Sequence, residues 1–269
     1  MTNTEYKTIA TAARKKVLEM IFKAQTSHVG SCLSAIDILT VLYMGVVRNL
    51  DKDLKEDRDR VVVSKGWVAA AVYYFLAEKG IIPKEDLETY CQPGSKYIGL
   101  AEPSVRGIEA AGGSMGYGLP FGVGFALAKK LKKEKGKVFV LLSDGELQIG
   151  TTWESLLIAK QHNLSQLVVL VDNNSWQAMG RTKDILNVEP IEERVRSFGW
   201  EVFRIDGHNY ERIEHALKNT SANSPTMIVC DTIKGKGVKR FEDNNLYHYK
   251  ELSKGEYEEA LKELSQSNG

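Results

Sequence analysis

The chain reads as an α/β protein with a mostly parallel sheet covered by helices on both faces. From residue 138 onward, short apolar β runs alternate with helical segments, the order that lays strands parallel through crossover helices. A glycine-rich turn at 112–118 introduces this half of the chain. Two of the β runs end in polar clusters, Ser143-Asp144-Gly145-Glu146 and Asp172-Asn173-Asn174, and in open α/β sheets ligands bind outside the carboxyl ends of the strands.

In chain order, Tyr6 to Lys23 carries Ile9, Ala12, Ala13, Val17, Leu18, Ile21 and Phe22 at helical spacing. Ser34 is placed to cap a second helix running to about Val47, with Asp37 beside its N-terminus. Residues 51–60 mix charges of both signs and read as a solvated loop. Val61–Val63 is a short buried strand, and Gly66 opens an apolar helix to Glu78. After the glycine-rich turn, a helix spans about Leu119 to Leu131. The β runs are Val138–Leu142, Leu167–Val171, Glu201–Ile205 and Met227–Cys230. Between them lie helices at Thr152–His162, Ile191–Phe198 and Tyr210–Asn219. From Leu252 the tail is one amphipathic helix, with Ser253 and Glu256 at capping-box spacing. The simplest organisation is a single domain over 1–269: N-terminal helices over 1–60, a sheet core over about 61–240 and a C-terminal helix over 252–267.

Composition narrows the classes. The chain has 269 residues, 36 basic and 35 acidic side chains and a formal charge of +1. That balance argues against a nucleic-acid partner held by bulk charge. No uninterrupted apolar run reaches about 18 residues, so no membrane span is expected. The polar N-terminus shows no secretory signal. Cys32, Cys91 and Cys230 form no metal or redox spacing and suggest buried thiols in a reducing cytoplasm.

The candidate chemistry sits at the two polar strand ends. Asp144 offers a carboxylate and Asn174 a side-chain carbonyl, hard oxygens that suit Mg²⁺ or Ca²⁺. Gly145 allows a phosphate to approach backbone amides at the start of the following helix. The implied ligand is a metal-bound diphosphate. Asp and Asn after strands also serve as plain turn and cap residues, and the pair alone leaves that use open.

The segment Ser143-Asp144-Gly145 … Trp153-Glu154 … Asn173-Asn174 resembles the thiamine-diphosphate signature, a Gly-Asp-Gly start and an Asn-Asn end. Asp144 and Asn174 stand 30 residues apart, as in that signature. More specifically, the chain resembles the N-terminal, diphosphate-binding half of transketolase over nearly its whole length. Ser27-His28-Val29-Gly30-Ser31-Cys32-Leu33-Ser34 is similar to the family's Gly-His-Pro-Gly-Gly-Ser-Leu-Ser. Val63-Ser64-Lys65-Gly66 is similar to its Leu-Ser-Lys-Gly-His, and Gly113-Ser114-Met115-Gly116-Tyr117-Gly118-Leu119 to its Gly-Ser-Leu-Gly-Gln-Gly-Leu. Lys234-Gly235-Lys236-Gly237-Val238 matches the segment after the last strand.

The resemblance implies a three-layer thiamine-diphosphate-binding fold and a set of roles. Asp144, Asn174 and the backbone carbonyl of Trp176 are the implied Mg²⁺ ligands, with Ca²⁺ as the alternative ion. The implied cofactor-binding residues are Gly113, Ser114, Met115, Asp144, Gly145, Glu146, Asn174 and Trp67, with the Gly145 amide donating to the diphosphate. His28 and His248 are the implied catalytic histidines. Read from local sequence alone, His28 is an ordinary loop residue. His162 and His215 lie in helical segments as surface or core-edge residues, and His208 follows an Asp-Gly turn.

Three departures thin the substrate-contacting set. Trp67 stands where the family has a histidine near the diphosphate and donor sugar. Leu100 stands for a second histidine, and Ile149 for a carboxylate near the interface between paired active sites. Replacing a donor by apolar bulk favours a less hydroxylated group at that place, which points to a modified ketose, a deoxy or nucleotide-linked sugar, a 2-oxo acid, or a usual donor bound differently; the plain alternative is that a partner chain supplies the missing contacts.

The activating glutamate of the family belongs to a following pyrimidine-binding domain, and the sequence carries no second α/β domain after Lys234–His248. The resemblance therefore implies the N-terminal subunit of a split transketolase, transferring a two-carbon ketol unit from a ketose donor to an aldose acceptor. It implies a partner chain bearing that glutamate, in an α2β2 assembly. The competing readings are a subunit of another thiamine-diphosphate enzyme and a degenerate, non-catalytic subunit.

Overall fold

The structure is a computed structural model that describes residues 1–50 and 57–266. Five strands, β1 (Arg60–Val63), β2 (Val138–Ser143), β3 (Leu167–Asn173), β4 (Glu201–Asp206) and β5 (Thr226–Asp231), form one sheet in the order β1-β2-β3-β5-β4. Every pairing is parallel. The helices are α1 (Asn3–Ala24), α2 (Val29–Thr40), α3 (Ala69–Glu78), α4 (Gly118–Lys132), α5 (Gly150–Gln161), α6 (Thr182–Ile185), α7 (Ile191–Ser197), α8 (Tyr210–Lys218) and α9 (Lys254–Gln266).

Alternation along the strands divides the core in two, because successive side chains point to opposite faces. Phe139 and Leu141 of β2, with Val168 and Leu170 of β3, join the side chains of α1, α2, α3 and α8 on one face. Val138, Val140 and Leu142, with Val169 and Val171, join α4, α5 and α7 on the other. The expected α/β sheet covered on both faces is what forms, and all five expected strands are present within one or two residues of their predicted bounds.

The N-terminal helices depart most from expectation. Ser34 does not cap α2. The helix starts six residues earlier, after His28 in the left-handed region at φ 73°. Ser34 is fully buried within it, and its hydroxyl donates to Asp172 at 2.6 Å. Beyond Thr40 the helix widens into a π-helical turn over Val41–Val46. Together Val29–Val46 is long and apolar enough by composition to cross a membrane, contrary to the expectation from uninterrupted runs, but 83% of it is buried inside the protein. That apolar surface is used in the core. Gly66 opens a 3-10 turn (Gly66–Val68) rather than α3 itself. The charged stretch 51–56 and the final residue of the predicted tail helix lie outside the described residues. The tail helix is capped as its spacing implies: the Ser253 amide donates to Glu256 at 3.0 Å and the Glu256 amide to Ser253 Oγ at 3.3 Å. The cysteines are free; Cys32 and Cys230 are buried and Cys91 is partly exposed.

Candidate active site

The carboxyl ends of β1, β2 and β3 lie side by side, with Val63 paired to Leu141 and Ser143 to Asp172. This register brings the segments that follow them to one edge of the sheet. They open on a cavity of about 480 Å³ lined by His28, Trp67, Gly113, Met115, Asp144, Gly145, Glu146, Asn174, Trp176 and His248, among others. Ten of the eleven sequence-predicted site residues thus meet in one place. Ser114 does not: it is exposed, and its carbonyl closes a turn by accepting from the Tyr117 amide at 3.3 Å.

Close backbone approach explains two glycines. A Cβ on Gly66 would stand 2.2 Å from the Gly113 amide nitrogen. Gly113 itself, at φ 98°, lies so near Leu100 that a Cβ would meet its Cδ2 at 2.6 Å. Leu100 packs against the glycine-rich loop at Gly113 and is not among the cavity's lining residues. Ile149 lies under the same loop, against Gly116. Of the three departures, Trp67 alone faces the cavity.

Asp144 is buried to 1% exposure, and burial above all pushes its carboxyl up to about 6. Its oxygens accept from Thr182 Oγ1 at 2.7 Å and from the Gly145 amide at 2.9 Å. In this structure the Gly145 N–H, the expected donor to the diphosphate, donates to Asp144. Asn174 is oriented by donating to Ser34 Oγ at 3.3 Å, which leaves its Oδ1 to accept from the Trp176 amide at 3.0 Å. The Trp176 carbonyl accepts no hydrogen bond among the described residues. A buried carboxylate with no lysine or arginine bonded to it among the described residues, an amide oxygen and an unfilled backbone carbonyl are the hard donors a divalent cation takes. The residues present fit a Mg²⁺ ion that completes its shell with phosphate oxygens.

The two histidines sit together. His28 donates its backbone N–H to the His248 carbonyl at 2.9 Å, and their ring centroids are 4.8 Å apart. The His28 ring lies flat against Trp67. Its Nδ1 is 2.6 Å from Ser27 Oγ, so Nε2 is the nitrogen left for a ligand. His248 Nδ1 lies 2.7 Å from Lys234 Nζ. When Lys234 is an ammonium it can only donate, and His248 then accepts at Nδ1 and carries its proton on Nε2. Burial, then the charges of Lys234 and Lys65, push His28 down to about 4. Burial, then Lys234, His28 and Lys65, push His248 down to about 3. Both rings are therefore neutral hydrogen-bonding groups at neutral pH.

Several site residues escaped the sequence reading. Lys65 pairs with Asp172 in a buried ion pair, and Asp172 also accepts from Ser34 and Thr232. Ser34 lies between that pair and Asn174, so it orients a candidate metal ligand. Lys234, 1% exposed, also donates to Asn245 Oδ1 at 2.7 Å behind His248. Lys65 and Lys234 both lie inside motifs the sequence displays; only their side-chain partners were hidden. Glu146 lines the cavity, but its carboxylate is taken up by Ser64, Ser143 and the Gly116 amide. His208 has Nδ1 2.8 Å from Asp37 and accepts from the Ile233 amide at Nε2, also at 2.8 Å, a packing role outside the cavity. His162 and His215 are exposed.

A parallel α/β sheet with two neutral histidines and a cluster of oxygen donors around a cavity at its carboxyl edge is the arrangement of a ligand-binding enzyme domain. Residues 5–267 match the family described as "Transketolase, thiamine diphosphate binding domain", and the chain belongs to the transketolase family. It is 35% identical to an apulose-4-phosphate transketolase subunit of Phocaeicola vulgatus, covering 94% of this chain and 91% of that one. It is 35% identical to a 6-deoxy-6-sulfo-D-fructose transketolase subunit of a Clostridium species, covering 95% and 94%. Among solved structures, the transketolase of Campylobacter jejuni superposes with a TM-score of 0.92 at 31% identity, covering the whole of this chain but 43% of that one. The chain thus spans less than half the length of transketolases of that kind.

Proposed function

We propose that this chain is the diphosphate-binding subunit of a two-chain transketolase, moving a two-carbon ketol unit from a ketose donor to an aldose acceptor. The observation that carries the reading is the cavity in which Asp144, Asn174 and the Trp176 carbonyl meet His28 and His248. Asp144, Asn174 and Trp176 would hold Mg²⁺, and the ion would anchor the cofactor diphosphate. When bound, thiamine diphosphate supplies the carbon nucleophile and the electron sink for carbon–carbon bond cleavage. The chain's own part is to bind and orient. Neutral His248 presents an N–H to a substrate oxygen, and neutral His28 presents Nε2 beside it. Trp67 excludes water from one side of the His28 ring.

The pyrimidine-binding domain and its activating glutamate belong to a partner subunit, in an α2β2 assembly with the cofactor at the interface. The near-full coverage of relatives named as subunits supports this, as does the partial coverage of longer transketolases. The single-domain organisation over 1–269 is part of the same reading. The relatives named for apulose 4-phosphate and 6-deoxy-6-sulfofructose, together with Trp67 in the cavity wall, favour a modified ketose as donor.

Calorimetry with thiamine diphosphate and Mg²⁺, with and without the partner chain, tests the reading. Binding that disappears in Asp144→Ala is the expected result. No heat in either setting would leave the degenerate-subunit reading. A donor panel that includes a 2-oxo acid separates transketolase from other thiamine-diphosphate chemistry.

A further inference from the structure

One side chain at the cavity wall has a donor with nothing to donate to. The Gln177 Nε2 is buried and has no hydrogen-bond partner among the described residues, although the side chain lines the cavity. It lies against Gly145, where an added Cβ would come within 3.2 Å of Gln177 Nε2 and of the Met115 methyl. The neighbouring Asp144 oxygens accept from Thr182 and the Gly145 amide, and Gln177 does not donate to them. A buried amide N–H without an acceptor costs what a lost hydrogen bond costs, so the natural completion of this site is a ligand oxygen.

The backbone holds the group in place. Gln177 sits on a short hairpin whose ends pair at Trp176 and Arg181, and its own amide donates to the Gly180 carbonyl at 2.8 Å. Trp176 Nε1 donates to Asp243 at 2.7 Å and Arg181 to the same carboxylate at 2.5 Å. The Arg181 guanidinium lies 3.9 Å from the centre of the Trp176 ring. Asn245 clamps the hairpin by donating to the Ala178 carbonyl at 2.9 Å. The hairpin backbone that carries Gln177 is thus held in place before a ligand arrives.

We propose that Gln177 is a ligand-binding residue whose Nε2 donates to an oxygen of a diphosphate held at Asp144 and Asn174. The proposal rests on the thiamine-diphosphate reading and adds to it a protein donor on the anion. A donor repels a cation and attracts an anionic oxygen, so the contact belongs to the phosphate and not to the metal. An amide turned the other way would instead offer Oε1 to the ion, and the two orientations predict opposite effects of a carboxylate at this position.

The test is calorimetry on the full chain with its partner subunit, using Mg²⁺–thiamine diphosphate and Mg²⁺–pyrophosphate as probes, with thermal unfolding as the control for folding. Gln177→Leu should weaken both probes about tenfold to a hundredfold, the range for one hydrogen bond to a charged acceptor. Gln177→Glu should weaken them at least as much, because it sets a negative charge against the diphosphate. Gln177→Asn should fall between wild type and Leu. Unchanged affinity in Gln177→Leu, or tighter binding in Gln177→Glu, would overturn the proposal. If wild type binds tightly and the variants match it, the proposal alone fails. If wild type binds neither probe, the underlying reading fails with it.

Discussion

The indole of Trp67 lies flat on the imidazole of His28, with ring centroids 4.2 Å apart and planes 6° from parallel. A stack of this kind adds about 0.5–1.5 kcal/mol beyond its area. It also fixes the plane of a histidine that points into the cavity and covers one of its faces. Trp67 is nevertheless 44% exposed, so its other side is open to whatever occupies the site. On the proposed reading this selects a donor with less to hydrogen-bond there. Trp67→His should raise kcat/KM for xylulose 5-phosphate about tenfold or more relative to the natural donor, since a site regains discrimination when it regains a polar partner. Competition between two donors measures this directly. A wild-type enzyme that already prefers xylulose 5-phosphate would remove the idea.

Asp172 carries a structural prediction. Its carboxylate is fully buried and is neutralised by Lys65, with Ser34 and Thr232 as further donors. Breaking such a pair by removing one partner leaves an uncompensated charge and costs about 3–5 kcal/mol. Lys65→Met should lower the unfolding free energy by about that amount in urea titrations, whereas Lys65→Met combined with Asp172→Asn should recover part of it. Equal losses in the single and double variants would contradict the pairing.

What the sequence left readable follows from where the information lies. Four of the strands were legible as continuous apolar runs bounded by polar residues, and β4 as a run of Val202, Phe203 and Ile205 broken by Arg204. Asp144, Asn174 and the histidines were legible because they sit in motifs. Ser34 was misread because a hydroxyl near a helix start looks like a cap; its real partners, Asp172 and Asn174, are 138 and 140 residues away. The Lys65–Asp172 pair needs β1 and β3 to flank β2, an adjacency of the folded sheet that no local pattern reports. Gln177 belongs to no motif at all; only its burial without a partner marks it.

Asp37 predicts an acid limb of stability. It is 3% exposed and receives Arg14 at 2.6 Å, Tyr210 at 2.8 Å and a contact from His208 at 2.8 Å. Burial alone would raise its carboxyl, but the Arg14 charge and the bonds from His208 and Arg14 outweigh it and hold it well below the ordinary 3.8. A depressed carboxyl stabilises the folded state fully above the unfolded value and loses that contribution as pH falls below it. Urea stability should therefore drop between about pH 4 and 2, at the unfolded carboxyl value and below. Asp37→Asn should be less stable at pH 7 and show a flatter limb over the same window. A limb of unchanged slope in the variant would count against this assignment.

Lys234 behaves in the opposite sense. Burial first, then the charge of Lys65, pulls its ammonium down to about 7 from an ordinary 10.5. Between these values the unfolded chain binds more protons than the folded one, so this lysine's contribution to stability rises with pH across that window. An anion in the cavity favours the charged form. Diphosphate binding near pH 8 should therefore take up a proton, and affinity should weaken as pH climbs past 7. Calorimetry in two buffers of different ionisation enthalpy reads the uptake, and Lys234→Met should abolish it. Binding with no proton exchange in wild type would show that the lysine does not sense the ligand.

Glu146 joins three segments of the site through one buried carboxylate. Its Oε1 accepts from the Ser64 hydroxyl and, at 3.2 Å, from the Gly116 amide. Its Oε2 accepts from the Ser143 amide at 2.8 Å and the Ser143 hydroxyl at 3.3 Å. Every partner is a donor, and Ser64 in turn accepts from the Gly118 amide at 3.0 Å. An acceptor-only group is required here, because an amide would set its NH₂ against one of two backbone N–H groups. The serine hydroxyls can rotate to adapt, but the backbone amides cannot. Glu146→Gln should therefore leave one buried N–H unpaired, at a cost of about 1–3 kcal/mol. It should also loosen the 112–118 loop that carries Gly113 and Met115, weakening cofactor binding by more than the change in global stability would by itself produce. Urea unfolding and cofactor titration on the same variant separate the two effects. Wild-type values in both would mean that the carboxylate does not hold the loop.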